Sequence, residues 1–258
     1  MKAKLRILFL ALGIAALGVS SVNADGNGNL NPGILPPQAV FKGKTAAEWT
    51  AAWWYWVLTT PDAVQMTDDT GEFAHVNNNG ADGVFFLAKS WTGVPQTRHV
   101  TIPARTALYV PVMGMGLFGD QAYWDFAAEV SGLEPGVPGV MAWMDTFIPE
   151  MRDLSVRIDG RLVKGLEDGN LHYLNNTGLI SLFHPDGSVY APLGYSYEIS
   201  LILTPLKPGH HVIEMKGKGV FGFETDVTYH LTVLPKKHSK DGKKHHENED
   251  CGMDGKGE

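Results

Sequence analysis

The chain has 258 residues, and its 21 Lys and Arg against 28 Asp and Glu give a formal net charge of −7 at pH 7. This acidic balance leaves no basic stripe to replace phosphate counterions, which argues against nucleic acid or an anionic membrane surface as a partner. The only cysteine is Cys251, so no internal disulfide can form and packing alone must hold the fold.

Residues 1–24 have the pattern of a secretory signal peptide. Lys2, Lys4 and Arg6 precede an apolar run at 7–19, and positions 22–24 form a small-residue cleavage site. The apolar run is too short to span a bilayer, and no later segment reaches the roughly 20 apolar residues that a spanning helix needs. We therefore expect a secreted or periplasmic protein without a membrane span.

The mature chain divides into three parts by composition. Residues 25–39 are rich in Gly, Asn and Pro and predict a flexible leader. Residues 40–235 are long enough for one well-filled core and predict a single domain. Residues 236–258 combine Lys, His and acidic residues with few apolar ones, which predicts a disordered tail.

The first predicted element is an aromatic helix. Thr45 and Glu48 form a capping-box pattern, and Trp49, Trp53 and Trp56 follow at the spacing of one helix face. Thr59, Thr60 and Pro61 end the pattern. We expect this face to be buried against a sheet.

Strand patterns dominate the rest of the body. Short apolar runs bounded by Gly and Pro lie at 83–88, 107–112, 154–158, 161–163, 179–183, 188–191, 195–203, 212–215 and 225–234. Turns are predicted at 159–160 and 184–187, and further helices at 121–130 and 141–147. The pattern predicts a mainly β fold: an antiparallel, jelly-roll-like β-sandwich with the Trp-rich helix and one or two short helices.

Several segments resemble one known family. They are 43–56 with Pro61, 69–71, 84–88, Arg98, 101–104, 107–111, 208–210 and 226–233. The first segment is the most specific, and together they are similar to a family of uncharacterised exported bacterial proteins with an N-terminal Trp-rich helix and a β-rich body. The resemblance implies domain boundaries and fold, and it assigns no catalytic residue. Some relatives carry cysteines near positions 75 and 99, which implies that His75 and His99 face each other here.

Two patterns could indicate an enzyme. Residues 114–119 fit G-x-G-x-x-G, but no parallel crossover or strand-end acid accompanies them, so we interpret them as a flexible strand-to-helix turn. The motifs of serine and zinc hydrolases are absent from the sequence. Paired carboxylates for glycoside hydrolysis remain open, and the candidates are Glu48, Asp62, Asp125, Glu129 and Glu150.

Histidines are the candidate metal ligands. In the tail these are His238, His245 and His246, which either bind Zn²⁺, Cu²⁺ or Ni²⁺ weakly or are incidental to a solubilising segment. In the body they are His75 and His99, which would need a carboxylate such as Asp69 or Glu72 as a third ligand. The alternative for the body pair is ordinary polar contacts on a sheet surface.

Aromatic side chains are the candidate ligand platform. Trp54 points away from the main helix face, Trp91 lies in a Ser-Trp-Thr-Gly loop, and Tyr195 begins a predicted strand. Such rings either stack on sugars or fill the core, where each can bury 150–250 Å².

The function we expect is that of an exported, non-catalytic envelope or extracellular binding protein whose ligand is unknown, with an extracellular glycan or another small ligand as its partner. The alternatives are a secreted hydrolase of an extracellular polymer and a metal-handling protein that uses its tail and body histidines for a divalent transition metal. Two carboxylates in one pocket would favour the hydrolase. An exposed aromatic strip would favour sugar binding, and converging body histidines would favour metal.

Overall fold

The computed structural model describes residues 31, 33–61, 68–78, 80, 83–90 and 93–236. The predicted signal peptide, the tail histidines, Asp62 and Trp91 lie outside these residues, and what the sequence predicts for them stays a prediction.

Within the described residues the chain forms three α-helices and ten strands. The helices are α1 (Ala46–Thr59), α2 (Gln121–Val130) and α3 (Val137–Asp145). The strands are β1 (Val84–Phe86), β2 (Gln96–Ile102), β3 (Ala107–Gly119), β4 (Arg152–Ile158), β5 (Arg161–Leu162), β6 (Leu174–Asn176), β7 (Ile180–Phe183), β8 (Val189–Leu203), β9 (Gly209–Lys218) and β10 (Glu224–Val233). None of the helices in this part of the chain has the length and apolar character to cross a bilayer.

The strands form two five-stranded sheets, which confirms the mainly β, sandwich-like fold. The first sheet has the order β1-β3-β8-β6, with β7 also paired to β8, and the second has the order β2-β10-β9-β4-β5. Each sheet is mixed, because β1 runs parallel to β3 and β2 runs parallel to β10, whereas all other pairs are antiparallel. The antiparallel pairing that the sequence predicts therefore holds for every strand pair of the described residues except these two.

Apolar side chains fill the space between the sheets. Those from the first sheet include Val110 and Leu201, and those from the second include Met215 and Leu231. A second apolar cluster joins α1 to strands of the first sheet, with Trp53 and Tyr109 among its members. Helix α1 therefore adds a layer outside the sandwich, and the prediction that its Trp face is buried against a sheet is confirmed.

The local signals for helices and hairpins were accurate. Thr45 and Glu48 form both hydrogen bonds of the capping box, and α2 has the predicted bounds, with the Asp120 carboxylate accepting from the Tyr123 backbone N–H. Asp159 and Gly160 both have positive φ, at 51° and 76°, as a type I′ turn requires. Helix α3 begins four residues before its predicted start, with Pro in its first turn.

The prediction for the glycine-rich segment 114–119 was wrong. It is not a turn, because β3 continues through it to Gly119 in register with β8. A Cβ at Gly114 would lie 2.2 Å from the Tyr197 carbonyl oxygen and 2.5 Å from Oε2 of Glu198. Glycine is needed there because β8 approaches closely, and no dinucleotide site is built on it.

Part of the predicted flexible leader packs on the body. Ile34 is 3% exposed and forms an isolated bridge with Leu203. The Asn31 amide donates to the Lys164 carbonyl and to the Tyr173 hydroxyl, both at 2.8 Å. These contacts, together with backbone hydrogen bonds to β8 and to the residue after it, hold this stretch, and the Gly- and Pro-rich composition gives no sign of them.

Candidate functional site

The aromatic face of α1 is fixed by hydrogen bonds as well as by packing. Three indole N–H groups donate to backbone carbonyls: Trp49 to Phe41 at 3.0 Å, Trp53 to Leu87 at 2.9 Å and Trp56 to Val76 at 3.0 Å. The Trp53 ring also stacks on Tyr109, with centroids 6.1 Å apart. Because buried indoles normally need a polar partner, these contacts show that the face has a structural role.

Beneath this face lies a buried ion pair. The Lys89 ammonium is 2.8 and 2.7 Å from the two carboxylate oxygens of Glu198, and the two side chains are 3% and 0% exposed. The ammonium also donates to the Gly114 carbonyl at 3.3 Å. It lies 5.1 Å from the Trp53 ring and 5.5 Å from the Trp54 ring, within the range of cation–π attraction. The two indoles therefore close the pair off from water.

Burial governs the ionisation of this pair. Desolvation lowers the pKa of Lys89 and raises the pKa of Glu198, while the attraction between the two charges opposes both shifts. The neighbouring Tyr109 hydroxyl is 2.9 Å from Oγ1 of Thr50, and burial raises the pKa of this tyrosine. Perturbed groups of this kind are often found in active sites. Here the carboxylate has no exposed surface that a substrate could reach, so the arrangement serves the helix–sheet contact.

An open cleft of about 530 Å³ lies between the connection from α3 to β4 and the turn from β9 to β10. We call it the Phe221 cleft. It is lined by Thr146, Phe147, Glu150, Arg152, Lys218, Gly219, Val220, Phe221, Gly222 and Glu224. Its volume is within the 300–1,000 Å³ typical of small-molecule sites. Aromatic rings and charges of both signs therefore share one accessible cleft.

Phe221 is held in an unfavourable backbone conformation. Its φ is 56°, in the left-handed region that a bulky residue rarely occupies. The ring is nevertheless 67% exposed, and it meets the Phe147 ring edge to face with centroids 5.2 Å apart. The backbone strain therefore does not serve to bury the side chain, and it presents an aromatic ring to solvent.

The aromatic ligand candidates from the sequence are placed differently. Trp54 is 5% exposed, and its indole N–H has no hydrogen-bond acceptor among the described residues. Tyr195 is 2% exposed and donates to the Asp145 carboxylate, and burial together with this bond raises its pKa to about 12. Neither ring has a free face for stacking in this structure, so both act as core residues. Trp91 lies outside the described residues, but Ser90 and Gly93 on either side of it both hydrogen-bond to the backbone carbonyl of Glu224.

The structure gives the two body histidines different ring partners. His75 lies against Phe85, with centroids 5.2 Å apart, whereas His99 stacks on His230 at 4.8 Å. The His99 backbone N–H donates to the Thr70 carbonyl at 2.7 Å, so the segment that leads to His75 runs beside β2. Close approach of His75 to His99 stays a prediction. Within the described ranges no group of three or more His, Cys, Asp or Glu side chains is arranged to hold a metal ion.

The structure places the carboxylate candidates Glu48 and Glu150 in different surroundings. Glu48 accepts the capping-box hydrogen bond of α1, and this bond to Thr45 lowers the pKa of Glu48. Glu150 lines the Phe221 cleft together with Glu224, which the sequence argument missed. It also missed Lys89 and Glu198, although a charge inside an apolar strand run was a signal that could have identified them.

The chain was compared with protein families, with curated proteins and with solved structures. No match was found in any of these comparisons.

Proposed function

We propose that the protein is an exported, non-catalytic binding protein that holds a carbohydrate in the Phe221 cleft. The observation that carries the proposal is the exposed ring of Phe221, presented from a strained backbone over an accessible cleft. Residues are held in such conformations when the surrounding structure imposes them, and they are concentrated at ligand sites.

The chemistry of the cleft suits a sugar. A pyranose has an apolar C–H face that packs on an aromatic ring, and hydroxyl groups around its edge that both donate and accept hydrogen bonds. In the cleft, Arg152 and Lys218 can donate, and Glu150 and Glu224 can accept. These groups are partly engaged with one another, since Arg152 lies 3.7 Å from Glu150. Exposed ion pairs of this kind are weak and can be exchanged for ligand contacts.

The proposal is tested by a glycan array with the untagged full-length chain, followed by calorimetric titration of any sugar that binds. Phe221→Gly removes the ring and relieves the left-handed strain, and we expect it to weaken binding by about tenfold or more. Relief of about 1–2 kcal/mol of strain offsets the lost edge-to-face contact of about 0.5–1.5 kcal/mol, so the melting temperature should stay the same or rise slightly. A loss of binding without a loss of stability is the signature of a ligand-contacting ring.

Phe183→Ala is the matched control, because this ring is 54% exposed on β7, away from the Phe221 cleft. It should leave sugar binding unchanged. An unaltered affinity in Phe221→Gly would contradict the assignment of the cleft, and the absence of any bound glycan would contradict the ligand class.

The hydrolase is the second candidate, because Glu150 and Glu224 line the same cleft and glycoside hydrolysis uses two carboxylates. If the cleft hydrolyses its ligand, Glu150→Gln and Glu224→Gln should each abolish release of reducing sugar while the sugar still binds. We expect no such release from the unaltered chain, and measurable release would replace the binding proposal with the hydrolase.

A further inference from the structure

Strands β2 and β10 carry the same short pattern on their exposed face. The sequence reads T-x-H-x-T at 97–101 and again at 228–232. The two strands are parallel and pair in register, so that Thr97 lies beside Thr228, His99 beside His230 and Thr101 beside Thr232. The intervening residues point into the protein. The second sheet thus presents a small array in which each histidine has a histidine as its neighbour and threonines on either side.

The two imidazole rings stack on each other across the two strands. Their ring centroids are 4.8 Å apart and their planes are 12° from parallel, which matches the spacing of adjacent strands. Both residues are exposed. Among the described residues no hydrogen bond or ion pair to a side chain holds either ring. Continuous backbone pairing between β2 and β10 fixes the main chain of both residues, while their rings remain free to turn.

We propose that His99 and His230 together bind a divalent transition-metal ion of the group that prefers imidazole nitrogen. Two bonds of about 2.1 Å place the two nitrogens about 3.4 Å apart at the tetrahedral angle that is typical of Zn²⁺, and about 3.0 Å apart at the right angle that Cu²⁺ prefers. From centroids at 4.8 Å, each ring tip has to move by about 1 Å, and, because an imidazole nitrogen binds a metal in the plane of its ring, both rings must also turn from their parallel arrangement so that the two nitrogens point at one ion. The strands need not move, so the sheet has already arranged the two ligands.

The pair supplies two ligands, and the other coordination positions are open. No third His, Cys, Asp or Glu joins them in the part of the chain that the structure describes, so water completes the coordination. The hydroxyls of the flanking threonines can accept hydrogen bonds from such waters. Two imidazoles with open positions suit Cu²⁺, Ni²⁺ and Zn²⁺, and the general affinity order places Cu²⁺ first.

The test uses CuCl₂ and ZnCl₂ with the untagged full-length chain, measured by equilibrium dialysis and by electron paramagnetic resonance of bound Cu²⁺. The tail histidines are a second source of binding, so the measurements are made in a His238→Asn/His245→Asn/His246→Asn background as well as in the unaltered chain. In that background we expect one bound Cu²⁺ with hyperfine splitting from two nitrogens. Either His99→Asn or His230→Asn should weaken it by about a hundredfold, since the second ligand acts at high effective concentration.

His172→Asn is the control, because this histidine is also exposed but lies beside Tyr173. It should leave the affinity unchanged, and all variants should keep the metal-free melting temperature. As a second readout, Cu²⁺ should raise the melting temperature of the background chain and not that of His230→Asn. Binding that survives both single substitutions, or that disappears with the tail histidines alone, would overturn the proposal.

Discussion

The ion pair beneath α1 allows a stability prediction with a defined pH dependence. Lys89→Met removes the cation and leaves the Glu198 carboxylate, which is 0% exposed, without its partner. Breaking a buried pair in this way costs about 3–5 kcal/mol in the free energy of unfolding. For a domain of this size each kcal/mol lowers the melting temperature by about 2–4 °C, so we expect a loss of about 6–20 °C.

The sign of the pH dependence follows from the direction of the pKa shift. Burial already raises the pKa of Glu198 above its ordinary value of 4.5, and the attraction to Lys89 is what opposes the rise. Without Lys89 the folded state holds the proton of Glu198 to higher pH than the unfolded state does. The stability of the variant therefore falls as pH rises from 4.5 to its folded pKa, by at most about 1.4 kcal/mol per pH unit, and its cost relative to the unaltered chain grows between the folded pKa values of Glu198 in the two chains. The cost of Lys89→Met should be smaller at pH 5 than at pH 8.

The converse substitution gives the opposite slope. Glu198→Gln leaves Lys89 buried alone, and burial lowers the pKa of this lysine below 10.5. The folded state then loses its proton before the unfolded state does, so the cost of Glu198→Gln should shrink as pH rises toward 10.5.

Urea unfolding of each variant beside the unaltered chain, at several pH values, measures these costs as differences. The matched control is the double variant Lys89→Met/Glu198→Leu, which replaces both charges by apolar groups and should approach or exceed the unaltered stability with no added pH dependence. Equal costs at pH 5 and pH 8, or a double variant as unstable as the single ones, would refute the reasoning.

Three further predictions concern the fold. Trp53→Ala should lower the free energy of unfolding by about 3–5 kcal/mol. Trp53→Phe keeps a ring against Tyr109 and loses mainly the indole hydrogen bond. An unchanged melting temperature in Trp53→Ala would contradict the structural role of the helix face. Gly114→Ala should give insoluble or strongly destabilised protein, because its Cβ would lie 2.2 Å from a backbone oxygen. Gly139→Ala inside α3 is the control, and it should raise the free energy of unfolding in urea by about 0.5–1 kcal/mol. A tolerated Gly114→Ala would show that β3 and β8 can separate. Removal of residues 237–258 should leave the circular dichroism and melting curve unchanged and reduce the number of bound Zn²⁺ or Cu²⁺ ions; a large loss of stability would show that the tail packs on the body.

The features that sequence reasoning predicted well are the local ones. The Thr45–Glu48 capping box and the tryptophan spacing lie within a few residues of one another, so the sequence alone contains the information for α1. The same holds for the Asp159–Gly160 turn. The requirement for Gly114, in contrast, comes from Tyr197, which is on the neighbouring strand but far away in the sequence. No sequence pattern around position 114 indicates it.

The sequence did not predict the ion pair or the two proposed sites either, because they also depend on how distant parts of the chain fold. Lys89 and Glu198 are 109 positions apart, and their pairing depends on which strands meet. The two T-x-H-x-T copies can be read directly from the sequence, but they form an array only because β2 and β10 pair in parallel and in register. The left-handed φ of Phe221 was also hidden, because turn rules assign that conformation to the glycine that follows it.

The two proposed sites share a strand but should act independently. Glu224 in the Phe221 cleft and His230 in the histidine pair are six residues apart on β10, which corresponds to about 20 Å along the strand. A monosaccharide or a metal ion cannot span that distance, and β10 is held on both sides by β2 and β9, so the structure offers no hinge between the sites. Cu²⁺ should therefore change the affinity for a small sugar by less than about twofold, and sugar should change the affinity for Cu²⁺ by the same factor, because coupling between binding sites is reciprocal. Titration of each ligand in the presence of saturating amounts of the other measures this coupling. A larger effect in both directions would show that β10 responds to its ligands as one unit and that the two sites form a single functional surface.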